Sequence, residues 1–418
     1  MHTLTQPTVP IADSLPNSSV ETQLLLVCAR SLLHPDSEAA MALLQQNPNI
    51  DWSQLLEQAS HHKLLPLLGK TLQSVEPALI PVAASQQLQA LIFQNTVHTL
   101  ELTAELLRLL KIFKTRNIPV IPFKGPTLEA WAYGEVALRT CNDLDFLLQP
   151  ADYLRLKTIL AEAGYRAQDN WFMDAAGEVA YHTMMGEYVL EHTHKKICLD
   201  IHVRLAAIYP FFLPTDFSAF WQRLQPVKLG EQEVFTLCPA DMLIYLCVHG
   251  SRDRWETLSA ICDVAALVHR HPQFDWQQLL TEAQRLRVER MLLLGLYLAQ
   301  QLLHLPLPAL VQVQIAAQPM VQRLAQAIMA RFLGHSTQSH FDLLGRSFFY
   351  LFILDCWQDK LHLLTQLPLR QLQLASLINT RDYEFFPLPR SLYPLYYLIR
   401  PIRLLAQYRF GLLKVLFP

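Results

Sequence analysis

Apolar residues recur at intervals of three and four through VETQLLLVCARSLL (20–33), SEAAMALLQQ (37–46) and DWSQLLEQASHHKLLPLLGKTL (51–72). That spacing gathers them on one helical face. Asp51, a short acceptor just ahead of an apolar-periodic run, reads as the N-cap of the third segment. A long helix follows over roughly 83–115 by the same period. The pattern then changes. IPVIPF (118–123) is short, apolar and β-branched, which predicts a strand. PTLEAWAYG starts a helix, with Pro126 suited to its first turn. DLDFLL (143–148) is a second strand, and DYLRLKTILAEAGY (152–165) an amphipathic helix ending at Gly164.

GEYVLEH and ICLDIHVRL flank the polar turn THKK and predict a hairpin. Beyond residue 215 the helical period returns, in PADMLIYLCVHGSRDRW, TLSAICDVAALVHRH and DWQQLLTEAQRLRVERMLLLGLYLAQQLL. DWQQLLTEA matches DWSQLLEQA at six of nine positions. Nothing around the pair repeats at a fixed period, so both are expected to be the same local solution, a helix start capped by Asp.

These elements predict an α+β (mixed α/β) fold, a small mixed sheet with helices embedded between N- and C-terminal helical regions. The expected divisions are a lead-in over 1–20 without regular structure, an N-terminal helical region over 21–94 and a core over 95–210. A helical domain over 211–345 and a C-terminal helical, basic and apolar tail over 346–418 complete the chain.

Composition sharpens this. Twelve glycines against 26 prolines in a chain of 418 residues suit helices punctuated by prolines. The formal net charge of −2 supplies no general field for nucleic acid, so a nucleic-acid partner is not favoured. The seven cysteines are scattered and form no C-x-x-C pair. Free thiols in a reducing compartment are expected, rather than a zinc site. The start, MHTLTQPTVPIADSLPNSS, has no basic segment leading into an apolar one, and no run reaches the roughly 18–20 apolar residues a membrane span requires. A cytoplasmic protein is expected. The last stretch holds Arg390, Arg400, Arg403, Arg409 and Lys414 among Tyr, Leu and Phe, without an acid. It suits either peripheral membrane contact or a docked helix whose cations snorkel over apolar surface.

Chemistry enters with RTCNDLDFLL (139–148). In a strand, residues two apart share a face, so Asp143 and Asp145 project together. Adjacent carboxylates repel unless a cation lies between them, and an oxygen-seeking divalent ion such as Mg²⁺ meets that need. Asp200 sits in a similar apolar run, sharing its face with His202 and Arg204. Should that strand lie beside the first, Asp200 completes a three-carboxylate set. Such a set can hold two Mg²⁺ ions about 3.5–4 Å apart, with Mn²⁺ an alternative. In FKGPT (123–127), Gly125 permits close backbone approach at a helix start, where an anion is favoured. Lys124, Arg139 and the Thr127 hydroxyl are candidate nucleotide-phosphate contacts. His202 either orients an acceptor or is a satisfied structural histidine. Arg204 is a phosphate contact or an ion-pair partner of the cluster. His249 suits a solvated helix end better than a cleft, and Asp263 in an apolar helix calls for a buried partner.

The ordered set of K-G at a strand end, R-x-x-x-D-x-D, and a later lone D resembles the nucleotidyltransferase superfamily. More closely, IPFKGPTLEAWAYGEVALRTCNDLDFLLQPADYLRLKTILAEAGYR is similar to the bacterial uncharacterised nucleotidyltransferase family (NTP transferase type 5). The matching residues are Lys124, Gly125, Leu128, Tyr133, Gly134, Arg139, Asp143, Asp145, Gly164 and Tyr165, with Asp200 and His202 in LDIHVRL. His249, Trp255 and Asp263 match in the helices that follow, and the likeness covers roughly residues 25–310. The resemblance implies a nucleotidyltransferase-type sheet and a Mg²⁺-dependent enzyme. It would move a nucleoside monophosphate from an NTP to an unidentified acceptor hydroxyl or phosphate, with Asp143, Asp145 and Asp200 as catalytic metal ligands. One departure is Gly125-Pro126, where many members of the superfamily have G-G or G-S; Pro126 has no N–H or hydroxyl to offer a phosphate. That departure motivates an alternative, a non-catalytic nucleotide-binding or scaffold protein retaining the fold. A metal-dependent glycosyltransferase using D-x-D is a third reading. It is opposed by helices where a nucleotide-sugar β/α half would stand.

Overall fold

The computed structural model of the chain describes residues 18–135, 137–167, 186–205, 217–332, 349–365, 385–389, 392, 395, 396, 398 and 399. The beginning of the expected lead-in (1–17) and the tail cations Arg390, Arg400, Arg403, Arg409 and Lys414 lie outside the described residues.

Five strands form a mixed sheet in the order β1-β2-β5-β4-β3. They are β1 (Val120–Pro122), β2 (Asp143–Leu148), β3 (Tyr165–Ala167), β4 (Glu187–His192) and β5 (Cys198–His202). β1 runs antiparallel to β2, β2 parallel to β5, and β4 antiparallel to both β5 and β3. The expected hairpin around THKK is therefore present as β4–β5. One face of the sheet carries Leu144, Phe146, Leu148, Leu199, Ile201, Tyr188 and Leu190, all buried, and the alternation leaves the acids to the opposite face. This alternation is what makes the acid face a positioned surface: the apolar face fixes the register, and a one-residue slip would bury the carboxylates in the core.

A second hairpin, β6 (Gln225–Leu229) with β7 (Gln232–Thr236), turns at Gly230 with φ +61°. The helical period expected beyond residue 215 did not include it. Its alternation rests on only Val227, Leu229 and Val234, a signal too short to stand out beside its helical neighbours.

The described residues fall into two compact units. The first takes those within Met1–Thr103, Pro126–Cys141 and Pro226–Asp355; the second takes those within Ala104–Gly125, Asn142–Gln225 and Cys356–Pro418. The first unit is mainly helical, taking in all but the first residue of the β6–β7 hairpin, and is centred on Glu289–Leu303, which packs against Pro239–Arg252, Leu258–Arg270, Pro319–Phe332 and Val20–Arg30. Leu292, Leu293, Leu294, Leu296, Leu298 and Leu302 of that helix are fully buried, as expected of a helix enclosed on all sides. The Arg30 Nε donates to the Leu302 carbonyl at 2.8 Å, fastening the earliest described helix to it. Asp51 and Asp275 both cap as expected, accepting from the N–H of Gln54 and Gln278. The indole of Trp255 is buried against Gly250 and Gly295, where an added Cβ would meet the ring at 2.6 and 2.8 Å. The second unit holds the five-stranded sheet, together with the helix Tyr153–Glu162.

Candidate metal centre and its surroundings

Asp145 and Asp200 are direct register partners across the parallel β2–β5 pair, and Asp143 is opposite Cys198. Partners in register project to the same side of the sheet, so Asp143, Asp145, Asp200 and His202 share one face. Donor atoms of Asp145, Asp200 and His202 all lie within 4.8 Å of one another, spacing that suits a metal ion. Asp143 stands outside this tight group, partly exposed at the start of β2, and its charge still acts on Asp200.

The Asp145 carboxylate is asymmetric. Its Oδ1 accepts from the Lys124 Nζ at 2.9 Å and lies 3.0 Å from the His202 Nε2. Its Oδ2 is buried with no hydrogen-bond partner. Burial alone would push this carboxyl up, but Lys124 and then His202 outweigh it and hold it well below the usual carboxylate range. The His202 ring is edge-on to Phe123 at 5.1 Å, and its Nδ1 is buried without a partner. Asp200 is placed differently. Burial, followed by the charges of Asp145 and Asp143, pushes its carboxyl up to about 6.

An orphaned buried carboxylate oxygen beside a second carboxylate strained by like charge is the environment a divalent cation relieves. The donors present therefore fit a divalent metal. Asp145 Oδ2 and Asp200 would hold it, with Asp143 and His202 beside them.

Gly125 adopts φ +55°, and a Cβ there would stand 3.0 Å from the Asp143 carbonyl oxygen. Only glycine fits this turn without strain, which seats Lys124 over Asp145. The Phe123 N–H donates to the Asp145 carbonyl at 3.3 Å, tying the same stretch to β2. Arg204 follows β5 in a bend; its side chain is exposed and its N–H donates to the Gly186 carbonyl at 3.2 Å.

The remaining residues expected to touch phosphate, Thr127 and Arg139, belong to the first unit. Thr127 is fully buried and its hydroxyl has no partner. Arg139 donates from Nε and Nη2 to Asp263 at 2.8 and 3.1 Å, and from Nη1 to the Cys141 sulfur at 3.3 Å. Tyr133 donates its hydroxyl to Asp263 at 2.7 Å. Asp263 thus has buried partners, as its apolar helix requires. His249 sits near the end of its helix beside Asp253 and Arg252.

Glu129 was not singled out in the sequence. It opens a π-helical turn, Glu129–Tyr133, that closes on Gly134 at φ +74°. Buried there, its carboxylate accepts from the Arg139 N–H at 2.9 Å and from the N–H groups of Ala137 and Leu138. Burial pushes its carboxyl up to about 7 against those bonds. An acid in an otherwise apolar helix start was the available signal.

Comparison with known families decides the broader identity. The sequence pattern described as "Uncharacterised nucleotidyltransferase" matches residues 48–304, more than half of the chain. The chain belongs to the uncharacterised nucleotidyltransferase family. The mixed sheet with flanking helices agrees with that family's α+β fold. Membership supports a transferase in general terms, and the Asp/His cluster a metal site. No curated protein matches the chain. Among the described residues no helix is long and apolar enough to cross a membrane.

Proposed function

We propose that the chain is a divalent-metal-dependent nucleotidyltransferase, moving a nucleoside monophosphate from an NTP to an acceptor hydroxyl or phosphate. The observation that carries this is the placement of Asp145 and Asp200 as register partners with His202 beside them, in a chain of a nucleotidyltransferase family. Asp145 and Asp200 would bind Mg²⁺, or Mn²⁺ in its place, with Asp143 joining them from the start of β2. The metal, when bound, would supply charge neutralisation for the phosphates and lower the pKa of an attacking hydroxyl. Asp145 presents Oδ2 because Lys124 and His202 fix Oδ1. Lys124, beside the positive-φ turn at Gly125, would offer the phosphates an ammonium. In the transfer, the acceptor oxygen bonds to the α-phosphorus, the α–β bridging bond breaks, pyrophosphate leaves and the acceptor proton passes to solvent.

The test is incubation of the full chain with each of four labelled NTPs, Mg²⁺ or Mn²⁺ and a panel of acceptors. Label transfer lost in Asp145→Asn and Asp200→Asn supports the reading. Absence of both turnover and metal-dependent NTP binding across all four would sink it. Pro126 favours a second reading, nucleotide binding without transfer, because it removes one N–H from the turn. NTP binding that persists without product, and is unchanged in Asp145→Asn, would select that reading.

A further inference from the structure

Lys124 and a divalent cation would draw on the same carboxylate. The Lys124 ammonium is 2.9 Å from Asp145 Oδ1, with its side chain only 13% exposed, and the Asp145 side chain is fully buried. His202 shares that oxygen at 3.0 Å. A positive charge so close to a metal ligand, and screened little by solvent, repels an incoming cation through the same low-dielectric surroundings that attract it to Asp145. Lys124 also has the chemistry to serve a phosphate, as a compact ammonium with three donors.

We propose that Lys124 is a metal-coupled counter-ion: it competes with the divalent cation for Asp145 and is released to the phosphates of the nucleotide when the cation binds. The proposal rests on the metal-site reading above. It assigns Lys124 a positioning role ahead of its phosphate contact. It makes cation and nucleotide bind cooperatively, since each removes a cost the other faces. A lysine serving phosphate alone would leave metal affinity in the absence of nucleotide unchanged. A lysine holding Asp145 in place purely as structure would, when removed, weaken metal binding.

The experiment is Mn²⁺ titration of the full chain without nucleotide, following free Mn²⁺ by electron paramagnetic resonance, on wild type, Lys124→Met and Lys124→Arg. Lys124→Met should bind Mn²⁺ on the order of tenfold tighter or more, given a unit charge removed a few ångströms from the ion. Lys124→Arg should stay near wild type. Equal or weaker affinity in Lys124→Met overturns the inference while leaving the metal site standing. If neither wild type nor Lys124→Met binds Mn²⁺, the metal-site reading falls and takes the inference with it. A second measurement needs no variant. Amine labelling of Lys124 in wild type, read by mass spectrometry, should rise when Mn²⁺ is added and fall when Mn²⁺ is joined by a non-hydrolysable NTP. Labelling indifferent to Mn²⁺ overturns the proposal.

Discussion

The guanidinium of Arg139 and the carboxylate of Asp263, 124 residues apart in sequence, form a two-bonded ion pair at 2.8 and 3.1 Å inside the helical unit. Burial opposes the charge on Arg139, but Asp263 overcomes it and holds the guanidinium firmly protonated. Both partners are largely hidden from solvent, so removing one strands the other. Asp263→Asn or Arg139→Leu should each cost about 3–5 kcal/mol. The double variant should cost clearly less than the sum of the two. Urea unfolding of all four proteins gives the cycle; additive costs would show the pair to be uncoupled.

Glu105 predicts an acid limb. Its side chain is 3% exposed and is bonded by Arg108, Lys195 and the Tyr165 hydroxyl. Burial would raise its carboxyl, yet those three donors bring it down from 4.5 to about 2. A depressed folded value means stability that is complete above the unfolded value and is lost as pH falls through the folded one. Thermal unfolding should therefore show wild type losing stability from about pH 4.5 down to about pH 2. Glu105→Gln should be less stable at neutral pH and flatter over that window. A slope unchanged by the substitution would contradict the assignment.

Glu129 predicts the opposite sign. Its folded value is raised from 4.5 to about 7, so the folded protein holds a proton that the unfolded chain releases. Stability should fall as pH rises between those values, and the penalty should be complete above the upper one. Glu129→Gln lacks this titration. Its stability relative to wild type should improve steadily from pH 4.5 to 7 and then level off. A difference that stays constant with pH would place the titration elsewhere.

Gly125 predicts a backbone effect at the site. At φ +55°, a side chain costs roughly 1–2 kcal/mol in conformation alone. The 3.0 Å approach to the Asp143 carbonyl adds crowding. Gly125→Ala should lower the unfolding temperature and also weaken metal-dependent NTP binding, because the displaced turn carries Lys124. Equilibrium binding alongside calorimetry checks both, and a stability loss with unchanged binding would separate the turn from the site.

Local patterns carried much of this architecture. Asp51 and Asp275 announce their helices because a cap is a contact three residues long. The shared face of Asp143 and Asp145 follows from strand alternation alone. Nonlocal pairing is another matter. That β2 lies parallel to β5, with Asp145 facing Asp200, depends on a sheet order in which β4 and β3 lie beyond β5. No spacing along the chain encodes that order. The same limit explains Lys124 and Arg139. Sequence marks both as cations near an acidic strand, but which carboxylate each meets is a tertiary fact. Arg139 meets Asp263, from a helix more than a hundred positions later.

The alternation of the two units along the chain has a consequence for biosynthesis. Each is assembled from three separated stretches, and the polypeptide passes from one to the other five times. No contiguous fragment consists of one whole unit without part of the other. During synthesis Val20–Arg30 emerges long before Glu289–Leu303, one of the helices it packs against, has been made. Until then only the neighbouring helices Ser37–Gln46, Trp52–His61 and Leu65–Leu72 are at hand to cover its apolar face.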